Sequence, residues 1–394
     1  MLSTLSAFGT DDSSNQSSYK ITTLVANKAI YKPQILDKSI KNAWGIAIRP
    51  AGAGGHFWVA GGDISFQYVG DVSKSNDLNL KKLHVDNFPY MKLNLKKDAA
   101  ATGIVFNGGS SFIVQQSISG KKDLVSPAKF IFSADDGSIH AWTERKNTNL
   151  DGSISMDWPL EAKKVIQEQD AQFFGIGMNE DFSRLYAADF GKNPSIRTYD
   201  GNFKPVNITF DMPFDINKNN KVDAGEYAPF NIQYLKDSNN KGHLLVAYAQ
   251  TKACPTKAIK EKICAKGEIE PGEENSKNGK IAEFDENGRL ISIWSDKGMN
   301  APWGMAYAPS TFGKYANHLL VANFTTGLIS IYETNSKEFV GYLKDKSNKN
   351  LKIDGIWGLQ FGNGASLGDS DTLYFAAGPK DEEDGVFGSI KVQK

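Results

Sequence analysis

The stretch from Ala301 to Glu333, A-P-W-G-M-A-Y-A-P…H-L-L-V-A-N-F-T-T-G-L-I-S-I-Y-E, recurs in outline along almost the whole chain. A repeat of this kind leaves few folds open. In the typical copy an apolar run opened by Trp-Gly or Phe-Gly is followed by a turn and a second run ending in Asp, Asn or Gln. A short polar turn then leads to a third run in which apolar and polar residues alternate. The succession is a β-meander, a unit that buries its apolar faces only against neighbours of the same kind. First strands start near positions 44, 103, 174, 230, 303 and 357, separated by 59, 71, 56, 73 and 54 residues. Such spacing fits four-stranded propeller blades joined by loops of variable length.

Taken in order, the first unit reads Trp44 to Ile48, Phe57 to Ala60, Ser65 to Val69 and Lys82 to Val85. The second reads Gly103 to Phe106, Lys129 to Ala134, Ser138 to Trp142 and Lys163 to Ile166, with an extra run, Ser111 to Gln116, as an excursion. The third opens at Phe174 and closes with Val206 to Phe210; the fourth opens at Phe230 and closes at Arg289 to Trp294. The fifth is the copy quoted above, ended by Phe339 to Leu343, and the sixth opens at Trp357 and is a strand short. Tyr19 to Asn27 is a lone strand that can complete it, which joins the two ends of the ring and hides an edge from other chains. The expectation is an all-β, six-bladed propeller over residues 19–394 after a disordered leader over residues 1–18. That leader is rich in Ser, Asp and Asn and has neither the basic nor the apolar segment of an intact signal peptide.

Forty-five basic and forty-five acidic residues cancel, which removes the electrostatic footprint of a nucleic-acid binder. No apolar run approaches the roughly 18 to 20 residues needed to cross a bilayer as a helix.

The sharpest local signal is D-I-N-K-N-N-K-V-D-A-G-E, Asp215 to Glu226. Set against the twelve-residue calcium loop, Asp215 falls at position 1, Asn217 at 3, Asn219 at 5, the Lys221 carbonyl at 7, Asp223 at 9 and Glu226 at 12, the bidentate place. Asn220 stands where Gly is usual, and Asn tolerates the left-handed backbone needed there. The spacing brings hard oxygens to one point without sulfur or imidazole, which suits Ca2+. Met212-Pro213 before the loop and Pro229 after it argue against flanking helices and for a calcium staple rather than a switch. The bland alternative is an Asn-rich surface turn.

Cys254 and Cys264, the only cysteines, lie in one excursion between the second and third strands of the fourth unit. A disulfide there would close a short loop and suits an oxidising compartment; two free thiols are the alternative. The spacing offers no metal or redox motif. Asp63, Asp136, Asp189, Gln250 and Asn323 end second strands on the same, upper face and mark a candidate binding site at the channel mouth. Their bland reading is structural, because Asp and Asn bond local backbone in turns. His56, His243 and His318 take one equivalent place in three units, so symmetry spreads them around the ring, and Trp44, Trp303 and Trp357 read as blade packing. The acidic run Asp381 to Asp384 reads as a solvated turn, with a second cation site as its alternative.

The phrases N-A-W-G-I-A (Asn42 to Ala47), F-I-F-S-A-D-D-G-S-I (Phe130 to Ile139), Y-A-P-F-N-I-Q (Tyr227 to Gln233), D-G-I-W-G-L-Q-F-G-N-G (Asp354 to Gly364) and G-P-K-D-E-E-D-G-V-F-G-S-I (Gly378 to Ile390) together resemble one family. It is a group of bacterial hypothetical proteins associated with PEP-CTERM sorting, with an NHL-like six-bladed propeller. The resemblance runs from about Tyr19 to Ile390 and implies export, with the protein secreted, periplasmic or at the cell surface, but no established activity. The chain departs from the pattern at Ala43, where Pro is usual, and shows no sorting anchor. With no nucleophile elbow, phosphate loop or zinc signature in the sequence, the leading expectation is a monomeric, non-catalytic binding or scaffold propeller. Its partner, a protein or a small molecule, would sit on the upper face. The rival is a calcium-dependent, lactonase-like hydrolase or lyase working at the channel mouth.

Overall fold

Each blade opens on a pair of residues whose second member is where neighbouring blades touch. In the computed structural model, which describes residues 17–253, 256, 269–271 and 279–393, these pairs are Trp44-Gly45, Thr102-Gly103, Phe174-Gly175, Phe230-Asn231, Trp303-Gly304 and Trp357-Gly358. A β-carbon on Gly45 would lie 2.5 Å from the Thr102 carbonyl oxygen, and one on Gly103 would lie 2.8 Å from the Ile176 nitrogen. The same construction on Gly304 meets the Trp357 carbonyl at 2.3 Å, and on Gly358 the Trp44 carbonyl at 2.5 Å. Only residues without a side chain let the inner strands approach so closely. Blade four carries Asn231 instead, and its side-chain amide donates to the Trp303 carbonyl at 2.8 Å, so a hydrogen bond makes the seam to blade five. The contacts run one to two, two to three and onward to six, and from six back to one.

Sheet topology confirms the all-β, six-bladed expectation. Blade six consists of Ile356–Phe361, Leu373–Ala377, Val386–Gln393 and, as its outer strand, Ser18–Ala26 from the other end of the chain. The closing pair is antiparallel, from Ser18 opposite Gln393 to Ala26 opposite Val386. A short parallel addition, Ile35–Leu36, extends this sheet beyond the expected four strands. Blade five is the four-stranded meander Pro302–Tyr307, Leu319–Asn323, Leu328–Tyr332 and Phe339–Tyr342.

Three expected details are corrected. In blade one the fourth strand is Tyr90–Lys92, not Lys82 to Val85, which meets the third strand only at the bridge between His84 and Val69. The run alongside the third strand is interrupted at Asp86 to Pro89, where Pro has no N–H to give and the exposed Asp86 accepts from the Phe88 amide at 2.9 Å. In blade two the run Ser111 to Gln116 is half of a separate hairpin, Ile113–Gln116 with Leu124–Pro127, and a second hairpin, Arg145–Thr148 with Ile154–Asp157, was not foreseen. Blade three has three strands among the described residues, Phe173–Met178, Arg184–Asp189 and Ser195–Asp200. Its expected fourth, Val206 to Phe210, bridges at Pro205 and gives one amide bond, Val206 to the Thr198 carbonyl at 2.8 Å. The chain then turns away, with the Ile208 amide on the Val206 carbonyl, and reaches blade four, where the Asp211 amide meets the Gly288 carbonyl at 2.8 Å.

The axis of the ring is filled at its upper end. Trp44 stacks on Trp357 with ring centroids 3.9 Å apart, Phe324 stacks on Trp357 at 3.9 Å, and Phe174 stacks on Trp44 at 5.7 Å. Trp303 and Phe230 close on Trp357 edge-on or tilted, at 6.0 and 5.7 Å. The Trp303 indole N–H donates to the Phe174 carbonyl at 2.9 Å and that of Trp357 to the Asn42 side chain at 3.1 Å. Each buried indole contributes on the order of 2 kcal/mol by area alone, and aromatic pairing adds to that. The tryptophans are blade packing, and they converge on the axis because their repeat position is the innermost one.

Candidate metal centre and the upper face

The loop from Asp215 to Glu226 lies against the extended second strand of blade four, Gly242–Ala253. The Thr251 amide donates to the Glu226 carbonyl at 2.8 Å, the Gly225 amide to the Thr251 carbonyl at 3.0 Å, and the Thr251 hydroxyl to the Asp223 carbonyl at 2.9 Å. The Gln250 side chain adds a bond to the Gly225 carbonyl at 2.9 Å. The loop and the base of the cysteine-bearing excursion are therefore neighbours. Cys254 and Cys264 themselves lie outside the described residues.

Within the loop the residues singled out by spacing are joined in one hydrogen-bond network. Both Asp215 oxygens accept backbone amides, from Asn219 at 3.2 Å and Asn220 at 2.7 Å. Glu226 is buried, and its oxygens take the amides of Asn217 and Asp223, both at 2.9 Å. The side-chain amides of Asn217 and Asn219 converge on one oxygen of Asp223, each at 2.9 Å. Asn220 has φ +57°, the left-handed turn that lets Asp215 reach back across the loop, and the Lys221 amide donates to Asn219 at 2.9 Å. The donor set is three carboxylates and two amides, all oxygen chemistry. Among the described residues no three Asp, Glu, His or Cys side chains are gathered tightly enough to hold an ion by themselves. In this loop the amides of Asn217 and Asn219 stand between the carboxylates.

The channel-mouth candidates do not come together. Asp189 is fully buried and accepts the amides of Gln172 and Gly191 at 3.0 and 2.9 Å, with Arg197 on its other oxygen at 3.0 Å. Burial pushes its carboxyl up, and those donors oppose the shift. Asn323, at the equivalent place in blade five, accepts the Asn300 amide at 2.7 Å and donates to the Leu328 carbonyl and the Ser330 hydroxyl. Asp136 caps its own turn through the Ser138 amide at 3.0 Å, Gln250 is committed to the calcium-type loop, and Asp63 is exposed. Asp63 apart, these side chains tie strand ends to neighbouring loops.

On this face one carboxylate acts on another that the spacing did not pair with it. Burial, helped by the charges of Asp135 and Asp381, pushes Glu382 up to about 7. Burial likewise pushes Asp135 up to about 6, against the Ala100 amide that it accepts at 2.8 Å. The acidic run is thus not a uniformly solvated turn. Its last member, Asp384, is fully buried and takes Asn27 at 3.0 Å, Tyr31 at 2.7 Å and Lys28 at 2.7 Å. Burial opposes its ionisation, but these donors hold its carboxyl down at about 2.

The three equivalent histidines are spread over three blades. His56 meets Asp86 at 2.8 Å, His318 the Ala316 carbonyl at 2.8 Å, and the buried His243 lies between Glu283 at 2.8 Å and Asp237 at 3.4 Å.

A further cleft lies outside the residues that the spacing singles out. A cavity of about 550 Å³ separates the third strand of blade three from the connector into blade four and shares Asp215 and Val222 with the loop. Its signal was present in the sequence as Pro205 and Pro213, which bracket the run read as a strand.

No family model matches the chain. The uncharacterised protein L690 of Acanthamoeba polyphaga mimivirus is 24% identical over 379 residues, covering 94% of this chain and 85% of that protein. Uncharacterised protein R640 of the same virus is 34% identical over 61 residues, 16% of this chain and 11% of that protein. Both relatives are viral, whereas the motifs resemble a bacterial family; what stands of that resemblance is the six-bladed fold. Among solved structures the chain is similar to a glucose dehydrogenase (TM-score 0.43, 10% identity, 94% of this chain and 98% of that one). It is also similar to the hydrazine synthase of Kuenenia stuttgartiensis (0.42, 12%, 87% and 82%) and to the Dos1 propeller (0.39, 9%, 90% and 70%). Likeness at this level says nothing about activity.

Proposed function

We propose that this propeller binds Ca2+ in the Asp215 loop and acts as a non-catalytic binding or scaffold protein, holding a protein or small-molecule partner on its upper face. The observation that carries the reading is the loop network itself. Asp215, Asn217, Asn219, Asp223 and Glu226 are linked around one short turn whose left-handed residue, Asn220, stands where the calcium loop needs it. For Ca2+ to enter, the Asn217 and Asn219 amides would rotate to offer oxygen in place of nitrogen, a change that costs little because the two ends of the group are nearly isosteric. The Lys221 carbonyl would complete the set. A non-catalytic role is supported by the aromatic plug on the axis and by Asp189 and Asn323, whose polar atoms are spent on neighbouring backbone and side-chain groups.

Export, a monomeric state and a bond between Cys254 and Cys264 belong to the same proposal. They are supported by the family resemblance and by an oxygen-only site suited to calcium-rich surroundings. The test is calorimetric titration of the purified chain with calcium. One ion per chain is expected, and no heat at millimolar calcium would end the reading.

The rival, a calcium-dependent hydrolase or lyase at the channel mouth, draws support from one observation. Glu382 and Asp135 have carboxyls raised towards neutrality, as general acids require. Burial of each carboxyl accounts for most of the same shifts.

A further inference from the structure

The cleft left by the missing strand of blade three has the size and lining of a ligand site. Its volume of about 550 Å³ is that of a small-molecule pocket. Ile196, Val206, Ile208, Met212, Phe214 and Tyr248 supply apolar walls. Its charged lining is acidic on balance: Glu168, Asp211 and Asp215 border it, and Arg197 is committed to the buried Asp189 at 3.0 Å. One polar group is left over. Thr198, 4% exposed, lines the cleft, and its hydroxyl oxygen is buried without a hydrogen-bond partner. A buried hydroxyl with nothing to bond costs on the order of 1 to 3 kcal/mol, so the site is complete only when something polar reaches it.

The cleft and the loop share a wall. Phe214 packs edge-on against Tyr248, with centroids 5.0 Å apart, and is followed directly by Asp215; Val222, in the middle of the loop, lines the cleft as well. An ion that fixes Asp215 also fixes the positions of Phe214 and Val222.

We propose that this cleft binds a small molecule with an apolar, aromatic-sized body and one oxygen that pairs with the Thr198 hydroxyl, and that calcium in the adjoining loop tightens its binding. The calcium half rests on the reading proposed above; the pocket half does not. By linkage the ligand tightens calcium by the same factor.

The probe is 6-propionyl-2-(dimethylamino)naphthalene, a neutral fluorophore whose ring body suits the walls and whose carbonyl oxygen can accept from Thr198. Titrated into the full chain by fluorescence, it should bind at one site and bind about fivefold tighter with saturating calcium than with chelator. Ile208→Trp, on the half-buried connector, should fill the cleft and abolish saturable binding while near-ultraviolet circular dichroism stays native. Thr198→Val should weaken the probe about 2- to 10-fold. Probe binding that is non-saturable, or unchanged in Ile208→Trp, overturns the site. Equal affinity with and without calcium, in protein that takes up calcium by calorimetry, overturns the coupling. Absence of calcium uptake removes the calcium reading and the coupling with it, while one-site binding lost in Ile208→Trp would still support the pocket.

Discussion

Asn27 and Asp384 are 357 residues apart in sequence and 3.0 Å apart in space. The contact lies where the ring closes, and Lys28 and Tyr31 add their own bonds to the same buried carboxylate. It clasps the N-terminal strand to the last blade beside the eight-pair ladder that joins Ser18–Ala26 to Val386–Gln393.

Asp384→Ala should therefore destabilise the closure by about 2 to 4 kcal/mol, since charge-assisted bonds to a buried group are among the strong ones. The sign with pH follows from its depressed carboxyl. The contribution is present above the unfolded value near 4 and is lost as pH falls through about 2. Denaturant unfolding at pH 7 and pH 3 measures both. Equal stability of mutant and wild type at pH 7 would remove Asp384 from the closure.

Glu382 and Asp135 should act in the opposite sense. Their folded-state values, about 7 and about 6, lie above ordinary carboxylate values, so the folded protein holds protons that the unfolded chain has released. Stability should fall as pH rises from about 4 to 7 and level off above, by about 1 to 3 kcal/mol. Glu382→Gln should flatten most of that slope in urea titrations between pH 5 and 8. A mutant that keeps the full slope would assign it to other groups.

Glu226→Gln should remove the bidentate carboxylate and most of the calcium response while leaving the propeller folded. At calcium about 100 times its dissociation constant, wild type should gain roughly 2.7 kcal/mol, and in a chain of this length the melting temperature should rise by a few degrees. A mutant whose melting temperature responds to calcium like wild type would reduce the loop to a turn.

Gly358→Ala places a β-carbon 2.5 Å from the Trp44 carbonyl oxygen, at the seam between the last blade and the first. The inner strands would have to separate, at a cost on the order of 2 to 4 kcal/mol. Gly152→Ala is the control: its φ of +81° is strained for Ala, but no atom lies within 4 Å, and about 1 kcal/mol is expected. Thermal unfolding of the pair should separate packing from backbone strain, and similar losses would count against the seam.

Oxidised, non-reduced protein should be lighter by two hydrogens than reduced protein if Cys254 and Cys264 are bonded. Intact-mass measurement with and without reductant decides it, and two free thiols would count against both the bond and export.

The fold was legible in the sequence because its information is local and repeated. Alternation marks each strand, the Trp-Gly and Phe-Gly pairs mark four of the six inner strands, and a shortfall of one strand at one end matched a surplus of one at the other. The twelve residues of the Asp215 loop were legible for the same reason, as a spacing within a single turn. What only the tertiary structure decided depends on residues brought together from different blades. Asp384 reads as one more acid in a polar turn until Asn27, Lys28 and Tyr31 arrive from the opposite end of the chain. The charge of Asp135 reaches Glu382 only because blades two and six both direct loops to the upper face. The cleft beside Thr198 exists because the run after Pro205 leaves its own sheet for Gly288 of the next blade, a competition between two edges that no local pattern encodes.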